Sequence, residues 1–326
     1  VYLANIGSQR IYGYCNSDAP SVDGVFDIWA YCVLDNDYSA AEFPTNTPLE
    51  NMQVTAAHEF FHAVQYGYDA AEDGWLMEAT AAWVEDEFYD DVNDNLQYLR
   101  TGPLAHPDGP LDYFEDDGGF HYGTWIFFRF LSERFTEKAG DLPTIVRDIW
   151  RRADAAPGSA YGDEVSIEAV QNVLRAHGTS LTAEFSLFSV ANRFPTAFYE
   201  EAVENDYPAA PDGSFRKSGK WYVTKLNHLS SATAWTKPRK DQKKAKVIVD
   251  LAPTARGSAA IVTVHFKAGS LKWWPVRLND EGNGAVKVPA NKSVAGVHVT
   301  LVNASTRPSE CWVGGPFSCS GYSKDD

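Results

Sequence analysis

The sequence predicts an α+β fold: a mainly helical first part that carries a small N-terminal sheet, followed by an all-β sandwich. Three observations predict it. The chain has 326 residues, enough for two domains of ordinary size. Its charge is split: residues 1–214 hold 10 Lys and Arg against 37 Asp and Glu, and residues 215–326 hold 18 against 7, so a net of −27 precedes one of +11. The hydrophobic period changes near the same place, from that of a helix to that of a strand.

In order along the chain, Val1–Ile6 and Ile28–Leu34 alternate apolar and polar residues between Gly, Pro, Asn and Asp, and read as strands. From Glu50 the pattern is helical, with amphipathic stretches at Asn51–Tyr66, Trp75–Tyr89, Tyr122–Phe135, Leu142–Ala153, Val165–Ala176 and Leu181–Asn192. Residues 207–220, rich in Pro, Gly, Ser and Asp, read as a linker between domains at 1–206 and 221–326. Beyond it, Val247–Leu251, Ala260–Phe266, Trp273–Leu278, Ala285–Val288 and Val297–Val302 are short β-branched runs with turn residues between them, the spacing of a small antiparallel sandwich.

Composition excludes several classes. With 44% hydrophobic and 13% aromatic residues the chain is not disordered. It contains no apolar run of eighteen residues, so no membrane span is expected. A net charge of −16 argues against a nucleic-acid binder. The basic second part is a different matter, and can meet an anionic surface or polymer or dock on the acidic part. Cys15 and Cys32 form one sequence-local pair, Cys311 and Cys319 another, and none has metal-binding C-x-x-C spacing. Two disulfide loops and an extracellular, secreted location are therefore expected. The chain opens at Val1 without a Met or signal peptide, which reads as a processed product. A monomer is expected.

The chemistry concentrates in His58-Glu59-Phe60-Phe61-His62. Helix positions four apart share a face, so both imidazoles reach one cation, and Glu59 lies beside the open coordination position as a base for water. Val54, Ala57, Phe61 and Val64 form an apolar stripe that fits a helix here. Separated from His62 by fifteen residues comes Glu78, within a second helical run, Trp75-Leu76-Met77-Glu78-Ala79-Thr80-Ala81-Ala82-Trp83. Two His, one carboxylate and a water is the coordination of catalytic zinc. Fe(II) uses similar ligands, but the helical H-E-x-x-H arrangement favours zinc.

These stretches, "AHEFFHAVQYGYD" and "GWLMEATAAWVEDE", resemble the gluzincin group of zinc metallopeptidases, and look most like secreted bacterial members of it. The resemblance covers residues 50–135. It implies a zincin-like catalytic domain, one catalytic Zn²⁺ held by His58, His62 and Glu78, and Glu59 as general base. It also implies that Glu85, seven residues after Glu78, orients a ligand histidine, and that protein or peptide is the substrate. Gluzincins take an oxyanion-stabilising Tyr or His from a later helix. Gly118-Gly119-Phe120-His121-Tyr122-Gly123 is similar to that segment, which points to Tyr122 first and His121 second. The aminopeptidase G-x-M-E-N segment is missing, so endopeptidase is the expected activity. An inactive adhesin or binding protein on the same fold, an aminopeptidase, and a non-peptidase metal hydrolase are the alternatives. Asp35-Asn36-Asp37 and Asp90-Asp91-Val92-Asn93-Asp94 offer oxygens for Ca²⁺, although neither has EF-hand spacing and a solvated acidic face is the plainer reading.

Overall fold

The computed structural model describes residues 1–114, 119–214, 221–239 and 242–306. The fold is α+β, as the periodicity predicts. One compact unit holds, among the described residues, Val1–Gly102 and Asp112–Val173; a second holds Pro103–Leu111 and the described residues from 174 to 306.

In the first unit, β1 (Tyr2–Ala4), β2 (Gly13–Asn16) and β3 (Tyr31–Asp35) form a sheet in the order β1-β3-β2, with β1 parallel and β2 antiparallel to β3. Asp35 closes β3. Its carboxylate accepts the backbone N–H groups of Ile6, Gly7, Asp37 and Tyr38 at 2.7–3.1 Å. Burial opposes its ionisation, but these four donors outweigh burial and hold its pKa below the usual range.

Helix α1 (Pro48–Asp69) starts at a capping box. Thr47 Oγ1 accepts Glu50 N, Glu50 Oε2 accepts Thr47 N, and Pro48 fits the first turn. Its buried face is polar apart from Val54: Asn51, Thr55, Glu59, His62, Gln65 and Asp69. The rest of the expected apolar stripe lies elsewhere on the helix. Ala57, Phe60, Phe61 and Val64 line a groove of about 520 Å³ together with Trp150 and Phe88.

Helix α2 (Gly74–Phe88) is buried almost all round, as its Ala- and Trp-rich sequence requires. It packs between α1 and the helices α3 (Phe120–Gly123) and α4 (Trp125–Arg134). The single helix expected at 122–135 is thus two pieces, which meet at Thr124. Next, β4 (Lys138–Ala139) pairs with β5 (Leu142–Pro143) before α5 (Thr144–Trp150), so the helix expected from Leu142 begins only after Pro143. Pro143 has no backbone N–H to continue a helix behind it.

Helix α6 (Ile167–Ala176) crosses from the first unit to the second. In the second unit, α7 (Leu181–Arg193) packs on a five-stranded sheet. The strands are β6 (Asp212–Ser214), β7 (Ser230–Thr236), β8 (Lys244–Asp250), β9 (Ser258–Phe266), β10 (Leu271–Pro275), β11 (Asn283–Pro289) and β12 (Val294–Asn303). The sheet order is β10-β9-β12-β7-β6, and β8 and β11 form a separate pair. Val249, Val262, Val264, Val288, Val297 and Val299 make the core between the two sheets. On the other face of the large sheet, Phe194 at the end of α7 meets His265 and His298.

Two features depart from the expected sandwich. The helix 181–193 belongs to the unit of the β strands, because its apolar face covers their sheet, whereas linker composition placed the boundary after 206. Within the expected linker, Asp212–Ser214 is a strand, and it pairs parallel with β7. Residues 215–220 lie outside the described residues, as do Cys311 and Cys319. The Cys15–Cys32 disulfide is present and joins directly opposed residues of β2 and β3. No helix among the described residues is long and apolar enough to cross a membrane.

Candidate metal centre

The helical rise of α1 puts His58 and His62 on one face, one turn apart. The antiparallel approach of α2 brings Glu78 to them. His58 Nε2 lies 3.0 Å from His62 Nε2 and 3.2 Å from Glu78 Oε2, and His62 Nε2 lies 3.5 Å from the same carboxylate oxygen.

The opposite ring nitrogens determine what these atoms are. His62 Nδ1 lies 2.6 Å from Gln65 Oε1. The Gln65 amide is oriented by its Nε2, which donates to the Met77 carbonyl at 2.8 Å and to Thr80 Oγ1 at 3.0 Å. Its Oε1 can therefore only accept, and His62 Nδ1 carries the proton. His58 Nδ1 lies 2.6 Å from Glu85 Oε1, again an acceptor. In the neutral imidazoles both Nε2 atoms then present lone pairs, and three electron-rich atoms face one another.

Such a group demands positive charge. Burial disfavours a charged His58, yet its bonds to Glu78 and Glu85 outweigh burial and raise its pKa well above the ordinary value. Burial also opposes ionisation of Glu78, but His62 and His58 hold its pKa well below the usual carboxylate range. Glu85 is pushed up to about 7 by burial, against the pull of His58.

A metal satisfies the set better than a proton does. Donor atoms on neighbouring corners of a tetrahedral zinc, with bonds near 2.0–2.1 Å, stand about 3.3 Å apart, and the three separations here are 3.0, 3.2 and 3.5 Å. The residues fit zinc.

Glu59 is 7% exposed, and its Oε2 has no hydrogen-bond partner. Burial raises its pKa, opposed by His58 and His62. A buried carboxylate oxygen held unpaired beside a cation-demanding site is poised to take a proton. Strand β2 crosses closely here: a Cβ on Gly13 would stand 2.9 Å from Glu59 Cγ and 2.8 Å from Thr55 Cγ2, so only glycine fits. The disulfide braces the same turn, with Cys15 Sγ 2.7 Å and Cys32 Sγ 3.3 Å from the Glu59 carbonyl oxygen.

Tyr122 comes from α3. Its ring centroid lies 6.0 Å from that of His58, and it stacks on Tyr98 at 5.0 Å. Burial and then the Glu78 charge raise its pKa, so it stays protonated. Gly123 permits this placement, because a Cβ there would strike the Tyr98 carbonyl and stand 2.5 Å from Gly102 Cα. His121 is buried, its ring 4.5 Å from Phe114 and 4.4 Å from Tyr122. The structure thus sets Tyr122 beside the ligand set and His121 against Tyr122.

Gln65, Tyr98 and Tyr66 also belong to this surrounding, and the motif does not single them out. The Tyr66 hydroxyl is pushed up by burial and by the charges of Glu78 and Glu59. Gln65 was legible in principle, since it follows His62 by three and so shares its helix face.

The acidic loops behave otherwise. Asp35, Asp37 and Glu42 bring carboxylate oxygens within 4.8 Å of one another, but both Asp35 oxygens are committed to backbone donors. Asp94 accepts Asn46 Nδ2 at 2.6 Å and Gln97 Nε2 at 2.9 Å. Compared with known families and with curated proteins, the chain matches no family model and no curated relative.

Proposed function

We propose that the protein is a secreted zinc-dependent endopeptidase of the gluzincin type. The observation that carries this reading is the convergence of His58 Nε2, His62 Nε2 and Glu78 Oε2 beside the buried, unpartnered carboxylate oxygen of Glu59. His58, His62 and Glu78 would hold the ion, with Glu85 and Gln65 fixing the imidazoles. Zinc bound there supplies a Lewis acid for a carbonyl and brings the pKa of water to about 7. Glu59 accepts the proton of the attacking water and later returns it to the leaving amine. Its burial supports this role, because a raised pKa makes the carboxylate a stronger base. Tyr122, protonated and adjacent to Glu78, donates to the developing oxyanion. The disulfide supports an oxidising, extracellular location.

The test compares the wild type and Glu59→Gln on casein and on a quenched peptide library, with and without a zinc chelator, beside elemental analysis. The expected result is one zinc in each protein, with chelator-sensitive cleavage by the wild type alone. Wild type and variant both inert with zinc bound would favour the binding-protein alternative. Cleavage confined to free N-termini would favour the aminopeptidase, and absence of zinc would overturn every metal-hydrolase reading.

A further inference from the structure

Residues 237–246, Lys-Pro-Arg-Lys-Asp-Gln-Lys-Lys-Ala-Lys, hold six cations and one acid. The run enters β8, where side chains alternate between faces. Ala245, Val247 and Val249 turn inward, while Lys244, Lys246 and Ile248 are exposed. Lys246 stands directly opposite Lys287 of β11. Like charges opposed across two strands destabilise a sheet, so stability does not account for this pair. Among the described residues, Lys237, Arg239, Lys244 and Lys246 form no ion pair.

These four cations rim a cavity of about 650 Å³ that opens between β8 and the strands β7 and β12. Its floor is apolar, formed by Val247, Val249, Val297, Val299 and Leu301. Trp221 and Ile248, 63% and 55% exposed, line it as well, and Val223 near Trp221 is 85% exposed. The site therefore combines a rim of four cations and one acid, Asp250, an apolar interior and two protruding apolar side chains, with the exposed Val223 two residues from Trp221.

A hydrophilic polyanion would satisfy the lysines and leave the apolar interior and the protruding residues in water. An amphiphile with an anionic head satisfies both parts. We propose that this cleft docks on an anionic lipid bilayer. A lipid phosphate meets Lys237, Arg239, Lys244 and Lys246, an acyl chain enters over Val247 and Val299, and Trp221, Val223 and Ile248 sit in the interface. Trp and the long Lys stems suit that boundary, with apolar bodies and polar ends.

Flotation of the full chain with phosphatidylglycerol–phosphatidylcholine vesicles, and with pure phosphatidylcholine vesicles, tests the proposal. The protein is expected to float with the anionic vesicles alone. Lys244→Ala combined with Lys246→Ala weakens binding about 30-fold, at the usual contribution of a lysine near an anionic surface. Ile248→Asp and, separately, Val223→Asp each abolish flotation. Both sites are exposed, and unchanged thermal melts show that the variants are folded. Failure to float with either vesicle overturns the proposal, as does equal binding to neutral ones. Binding to heparin or to a single-stranded oligonucleotide that Ile248→Asp and Val223→Asp leave intact, with no loss of vesicle binding in those variants, also overturns it and assigns the cations to a soluble polyanion.

Discussion

Gln65 lies one turn beyond His62 on α1 and receives its Nδ1 proton at 2.6 Å, which leaves Nε2 as the lone pair aimed at Glu78. The amide is itself held by the Met77 carbonyl and by Thr80, whose Oγ1 also accepts Trp150 Nε1 at 3.1 Å. A chain of buried groups thus fixes one imidazole. Partners of this kind typically account for 10–100-fold in metal affinity. Gln65→Ala is expected to weaken zinc retention by about that factor, read from competition with a chromogenic chelator. Gln65→Glu should retain more affinity than Gln65→Ala, because it still accepts the Nδ1 proton. Equal affinity in wild type and Gln65→Ala would show that packing alone orients His62.

Tyr122 and Glu59 divide the proton chemistry in the proposed mechanism. Tyr122→Phe removes a donor and keeps the ring that stacks on Tyr98. The expected loss is about 10²–10³ in kcat with little change in KM, the size seen when one oxyanion donor is removed. Zinc content should be unchanged. A variant that loses zinc instead would mean that the hydroxyl serves chiefly to hold Glu78.

Much of this centre was legible because it depends on local spacing. His58, Glu59 and His62 are fixed by helical periodicity, and the apolar neighbours of Glu78 in the sequence, Trp75, Leu76, Ala79 and Ala82, are all fully buried. The start of α1 was legible too, since Thr47-Pro48-Leu49-Glu50 is a capping box, although hydrophobic periodicity alone begins the helix later. The apolar stripe misleads about direction. All of it but the buried Val54 lines an outer groove, while the polar face goes inward, where the site supplies hydrogen-bond partners. What periodicity could not convey was long-range. Leu181–Arg193 is amphipathic like the helices before it, and nothing local says that its partner is a sheet formed a hundred residues later. Ser230–Thr236 is Ser, Thr and Ala except for Trp235, with only Thr233 and Thr236 β-branched, yet Thr233 pairs with Thr300 of the neighbouring strand at 2.9 Å.

The Cys15–Cys32 disulfide closes a loop with a sequence separation of 17. Loops of that length correspond to about 3 kcal/mol of stability through the unfolded chain. Here the sulfurs also lie against the Glu59 carbonyl, so loss of the bond acts on α1 as well. Cys15→Ser combined with Cys32→Ser is expected to lower stability by about 3 kcal/mol, measured by urea unfolding. Activity should fall even at temperatures where the variant is fully folded. Undiminished activity would confine the disulfide to a role in stability.

Asp69, at the end of α1, carries a pH dependence whose sign follows from its surroundings. It is 3% exposed, and its Oδ1 accepts Ala71 N at 2.8 Å. Burial raises its pKa to about 7, opposed by the Ala71 bond and reinforced by Asp163 and Asp154. Glu72, also buried, is raised well above the ordinary value for the same first reason, with Asp73 and Asp69 adding to it. A carboxyl whose pKa is higher folded than unfolded binds protons more tightly in the folded state. Its stabilisation is full below about pH 4 and is lost as pH rises toward 7. Asp69→Asn keeps an acceptor for Ala71 N and removes the charge. The variant should therefore match the wild type near pH 4 and exceed it above pH 7, by up to about 4 kcal/mol. Thermal melts of both proteins across that range, in the presence of chelator, check the direction. A difference independent of pH would mean that Asp69 is neutralised in the folded protein by something other than a proton.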